Sequence, residues 1–160
     1  MIKLVPVDRQ NAAEILHLQV KEEQRSFVAS NGQSLAEAET TLAAGGWAFP
    51  FGIYAGEQAV GFLMVGFGTD EEWIDPPAVA HGNYSLWRLM IDERYQHRGY
   101  GAAALQLALD WVQTLPCGPA EYCWVSYAPH NRKARELYER FGFCETGEMT
   151  GGERIAVRRL

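Results

Sequence analysis

The chain has 160 residues, 48% apolar and 21% charged, which suits a single folded domain over residues 1–160 and excludes a disordered or low-complexity chain. Fourteen Lys and Arg against twenty Asp and Glu leave a formal charge of -6, which argues against a nucleic-acid partner and suits a cationic one. Cys117, Cys123 and Cys144 show neither CxxC spacing nor clustered His, so no disulfide framework or metal site is expected and a cytoplasmic setting fits; no apolar run approaches the roughly 20 residues of a membrane helix.

In chain order, Ile2 to Val7 alternates as a short strand. Asn11 and Glu14 have capping-box spacing ahead of Ala12, Ile15, Leu16 and Val20, and Ser34 with Glu37 repeats that spacing for a second helix through about Leu42, ended by Gly45 and Gly46. Ala48 to Tyr54 and Ala59 to Phe67 read as a hairpin turning at Gly56 and Glu57. Asp70 to Gly82, with four acidic residues, two prolines and Trp73, is a long loop of the kind that borders sites. Tyr84 to Asp92 is a fourth strand, followed by a helix with Leu105, Ala108, Leu109 and Val112 on one face and stopped by Pro116, Gly118 and Pro119. Glu121 to Tyr127 is a fifth strand, parallel to the fourth because a helical crossover joins them. Asn131 caps a last helix with Ala134, Leu137, Tyr138 and Phe141 on one stripe, and Phe143 to Thr146 and Arg154 to Val157 turn through Gly151 and Gly152. The fold class is α/β with a mixed sheet.

The most informative stretch is Gln96 to Gly101, a glycine loop between the fourth strand and a helix N-terminus, where free N–H groups favour an anion such as a pyrophosphate. His97 and Arg98 add positive charge there. No Gly-Lys-Ser/Thr triplet is present, which excludes a P-loop. Gly99, Gly101 and Ala104 match a dinucleotide fingerprint, but the polar stretch Glu93 to Arg98 separates them from the strand, and only one parallel crossover is evident, so dinucleotide binding ranks lower.

Gln96, Gly99 and Gly101 after a strand ending Leu89-Met90-Ile91-Asp92, with Asn131 to Phe143 downstream, resemble the GNAT superfamily of acyl-CoA-dependent N-acetyltransferases. The resemblance spans roughly the whole chain. Asp92 to Gln96, Thr146 to Glu153, Glu23 to Val28 and Ser34-Leu35 are similar to bacterial diamine, spermine and spermidine acetyltransferases, although Trp87 precedes Arg88 where some of them carry an acidic residue.

The resemblance implies a mostly antiparallel sheet with about four helices, its fourth and fifth strands splayed around the pantetheine arm of acetyl-CoA. It implies cofactor contacts from Leu89, Met90 and Ile91, from Gln96, His97, Arg98, Gly99, Tyr100, Gly101 and Ala102, and from Asn131 and Tyr138, with Tyr138 protonating the departing thiolate. Asn131 has a second reading as a helix cap and Tyr138 as a core aromatic.

The expected activity is transfer of an acetyl group to a primary amine, a small diamine or polyamine. A protein N-terminus, lysine or aminoglycoside is the alternative acceptor, and a non-catalytic acyl-CoA sensor the alternative class. Because an alkylamine arrives protonated, a base is needed, with Glu22, Glu23, the Asp70 to Asp75 loop and His130 as candidates; Glu22, Glu23, Trp87 and Asp75 are the expected substrate contacts. Cys123 reads as packing. A homodimer is common in that family.

Overall fold

The computed structural model describes residues 1–160. Its strongest element is the pair Trp47–Ala55 (β2) and Gln58–Phe67 (β3), where the apolar run is buried on both faces and the chain reverses through Gly56, at φ 61°, and Glu57. Ile2–Pro6 (β1) pairs antiparallel with β2, and Tyr84–Ile91 (β4) with β3. Tyr122–Tyr127 (β5) runs parallel to β4, and Cys144–Thr150 (β6) and Glu153–Arg159 (β7) complete a seven-stranded sheet in the order β1-β2-β3-β4-β5-β7-β6. This is the expected mixed, mostly antiparallel architecture.

Four helices cover the sheet, two on each face. Tyr100–Gln113 (α3) and Arg132–Arg140 (α4) bury Leu105, Leu109, Val112 and Tyr138 against Phe51, Leu63, Val65 and Val125. Ala12–His17 (α1) and Asn31–Ala43 (α2) bury Ile15 and Ala38 against Phe62, Met64 and Met90 on the opposite face.

Several element ends differ from expectation. Helix α2 starts three residues before Ser34: Ser30 is its cap, its hydroxyl accepting from Gln33 N–H at 3.1 Å, while Ser34 is fully buried. The earlier start places Asn31 inside the helix, where its amide donates to Ile15 O at 2.9 Å and ties α2 to the end of α1. Asn11 precedes α1, but its Oδ1 turns back to accept from Asp8 N–H at 2.8 Å, and Glu14 accepts from the Tyr54 hydroxyl, so no capping box closes. Helix α1 stops at His17, leaving Val20 beyond it. Strand β6 ends four residues past the expected Thr146 and β7 two past Val157; β6 is an edge strand whose mostly exposed polar residues carry no apolar alternation.

Strands β4 and β5 pair only at Tyr84↔Cys123 and Ser85↔Trp124, then separate. The join is pinned from outside: Asn83 Oδ1 accepts from Glu121 and Tyr122 N–H at 3.1 and 2.9 Å, and the Tyr84 hydroxyl donates to Gly118 O and accepts from Cys117 N–H, both at 2.8 Å. The β3–β4 register shifts between Met64 and Val65, leaving Trp87 as an extra residue on β4.

At the end of β4 the buried Asp92 accepts from Gln19 N–H at 3.0 Å and from Arg94 N–H and Nε at 3.0 and 2.8 Å. Burial would raise its pKa, but the hydrogen bonds from Arg94 and Gln19 prevail and hold the carboxyl below its usual range. Asp92→Ala should destabilise the protein by about 2 kcal/mol at pH 7 in urea unfolding, since buried N–H groups lose their acceptor. A depressed pKa contributes stability above the unfolded value near pH 4 and loses it as pH falls through the folded value, so the difference between wild type and variant should shrink below about pH 4.

Candidate active site

The separation of β4 and β5 opens a cleft of about 1190 Å³. Leu89, Met90 and Ile91 form one wall and Val125, Ser126 and Tyr127 the other. Both walls are strands with backbone groups that no longer pair with each other, so an extended chain can lie between them and take ladder hydrogen bonds.

At the mouth, β4 leads through a short 3-10 turn into α3. His97 and Gly99 both adopt left-handed backbone, at φ 64° and 79°, and none of the six N–H groups from His97 to Ala102 finds an acceptor within the chain. Such a run of free donors at a helix start favours an anion. Gln96 and Gly101 reach the cleft lining; His97, Arg98, Gly99, Tyr100 and Ala102 stand outside it, with His97, Arg98 and Gly99 exposed at the rim. The Gln96 side chain braces the site: its Nε2 donates to Ile91 O at 3.0 Å and to Gln24 Oε1 at 2.8 Å, and Gln24 Nε2 returns a bond at 3.3 Å.

Helix α4 supplies two expected residues. Asn131 caps it, its Oδ1 accepting from Ala134 N–H at 3.3 Å, and it also lines the cleft. Tyr138 is buried, stacked on Tyr127 with ring centroids 5.9 Å apart and edge-on to Phe143 at 5.6 Å, yet it too lines the cleft. Burial above all, then the fields of Cys123, Glu153 and Tyr127, push its pKa far above the usual phenol range. The phenol therefore keeps its proton at physiological pH. Cys123 is packing, as expected: it is 1% exposed and burial pushes its thiol up to about 12.

The expected substrate residues divide. Glu23 and Trp87 line the cleft, whereas Glu22 and Asp75 are exposed and outside it, and the acidic loop sends in Trp73 instead. His130 lies at the mouth against Phe27, ring centroids 5.1 Å apart. Sequence reasoning passed over Glu37, Glu153 and Trp124. Glu37 pairs with Arg88 at 2.6 Å and Glu153 Oε1 accepts from the Ser126 hydroxyl at 2.9 Å, each from an element that only the folded sheet brings to the cleft. Glu153 did carry a local signal, standing just past the Gly151-Gly152 turn.

Charge is sorted along the cleft. Lys21, Arg25, His130, Arg132 and Lys133 gather near the Gln96 and Asn131 end, and the Asp70 to Glu72 loop borders the end near Trp47, where Gly46 packs against Asp70. The basic end suits phosphates and the other suits an amine.

Residues 12–143 match the acetyltransferase (GNAT) family. A spermine/spermidine N(1)-acetyltransferase of Bacillus subtilis strain 168 is 31% identical over 160 residues, covering 99% of each chain. A probable spermine N(1)-acetyltransferase of Bacillus subtilis subsp. natto is 29% identical over the same share. A crystal structure of an aminoglycoside acetyltransferase with coenzyme A superposes at a TM-score of 0.77, with 13% identity over 99% of this chain and 95% of that one. With its splayed parallel strands, a run of free amides at the mouth of the cleft between them and a buried tyrosine lining it, this chain belongs to the GNAT acetyltransferase family.

Proposed function

We propose that the protein transfers the acetyl group of acetyl-CoA to a primary amine, a small diamine or polyamine, within a ternary complex. The observation that carries the reading is the shared cleft: unpaired amides of His97 to Ala102 at one end, the β4–β5 gap in the middle and the Tyr138 phenol facing into it. The identity to a spermine/spermidine acetyltransferase over nearly the whole chain supports the amine class.

Acetyl-CoA supplies an activated acyl group; a C–N bond forms to the amine, the C–S bond breaks, and the sulfur leaves needing a proton. The loop amides hold the pyrophosphate, and Asn131 together with the β4 edge from Leu89 to Ile91 holds the arm. An N–H of that edge donates to the acyl oxygen as negative charge builds on it, a contact whose loss costs other enzymes about 10²- to 10³-fold. Tyr138 gives the sulfur its proton.

The amine, with a pKa near 10.4, must first lose a proton. Glu23 and Glu153 are the cleft carboxylates that Arg88 does not neutralise, and the charge of Glu153 is felt at the Tyr138 phenol. Glu153 is thus the better placed acceptor, held by Ser126.

Tyr138→Phe should lower kcat by about 10²-fold with acetyl-CoA binding retained in calorimetry. Unchanged turnover in that variant removes the acid role. Because the Tyr138 pKa is raised, its proton stays in place through pH 9, and wild-type kcat/KM should climb from pH 7 to 9 without a falling limb from this group. Glu153→Gln should reduce kcat/KM about 10²-fold at pH 7 and less at pH 9, where more amine is already neutral; a larger loss in Glu23→Gln would assign the base to Glu23.

A further inference from the structure

Four of the five tryptophans, Trp47, Trp73, Trp87 and Trp124, line the cleft, and the catalytic steps above use none of them. We propose that the slot between Trp87 and the Trp73–Trp124 stack binds the distal, unreacted ammonium of a linear diamine or polyamine and sets which amines are acetylated. This rests on reading the cleft as an amine acetyltransferase site.

The slot is built by the sheet. Trp124 is the register partner of Ser85, and Trp87 lies two residues farther along β4 on the same face, which separates the two bases by about 8 Å. Trp73 lies over Trp124, with ring centroids 6.4 Å apart and planes at 23°, and so forms one wall with it. The floor is Gly66 and Ser85; a Cβ at Gly66 would stand 2.8 Å from Ser85 Oγ and 3.5 Å from Trp87 Cε3, so a larger residue there would crowd the floor beside Trp87.

The β4 bulge brings Arg88 to the side of Trp87, with Cζ 5.8 Å from that ring's centroid, and α2 answers the charge. By strict alternation Trp87 and Arg88 would face opposite sides, but with Trp87 as the extra residue both turn toward α2. There Arg88 Nη2 donates to Glu37 Oε2 at 2.6 Å while Gln33 Nε2 donates to Glu37 Oε1 at 3.1 Å, which neutralises the guanidinium. Asp70, Glu71 and Glu72 precede Trp73 in its loop, outside the cleft lining, and add negative charge at that border. Indole faces with an acidic surround attract an ammonium more strongly than an alkyl end. Leu89 to Ile91 lie two to four residues beyond Trp87, about 7 to 13 Å at strand rise, a span that several methylenes bridge.

The test compares kcat/KM for α,ω-diaminoalkanes with n-alkylamines of equal length, read as coenzyme A release. Wild type should favour the diamine at least about tenfold, and Trp73→Ala, a partly exposed loop position, should cut that ratio about tenfold while Trp73→Phe keeps most of it. A ratio that Trp73→Ala leaves unmoved, a wild-type ratio near one, or amino sugars outrunning the diamines overturns the subsite. No coenzyme A release with any amine overturns the acetyltransferase reading and the subsite together.

Discussion

The arrangement of the molecule follows from two parallel strands that pair for two residues and then part. Strand pairing is the cheapest way to satisfy backbone groups, so a sheet that forgoes it must be held open from outside. Asn83 and Tyr84 do this at the join, bonding across to Cys117, Gly118, Glu121 and Tyr122. Beyond it, α3 and α4 pack on one face and α1 and α2 on the other, so each strand keeps its place without its neighbour. The result is a rigid frame around a gap lined by strand edges.

The same frame separates charges that would otherwise cancel. A protein of net charge -6 holds a loop of free amides and basic side chains at one end of the cleft and an acidic loop at the other. In between, Tyr127, Tyr138 and Phe143 form an aromatic block that keeps the phenol dry and protonated.

Much of this was legible in the chain, for a physical reason. The glycine loop and the Asn131 to Phe143 helix are contiguous segments whose chemistry depends on local spacing, and both occupy the expected places. The start of α2 was not legible, because Ser30 and Ser34 stand one turn apart and either can cap; the choice falls to Asn31, whose bond to Ile15 O requires it inside the helix. Glu37, Trp124 and Glu153 were hidden more deeply. Their positions depend on how α2 packs and on pairings between strands, and apart from the glycine turn before Glu153 nothing local to them reveals that they share a cleft. Asp75 illustrates the converse: its charge and loop pointed to the site, but the backbone turns it outward and Trp73 inward.

The Gln24–Gln96 amide pair and the Asp92 hub together bear on how the cleft opens. The segment from Gln19 to Ala29 roofs the cleft, and at its first half it is tied to the end of β4 by four hydrogen bonds, two through Gln96 and two through Asp92 and Glu93. At its far half, the ring contact of Phe27 with His130 holds it to the opposite wall, an interaction worth about 1 kcal/mol. The roof is therefore a cantilever: its anchored end is tied to the start of the glycine loop, and its more weakly held end lies beside α4.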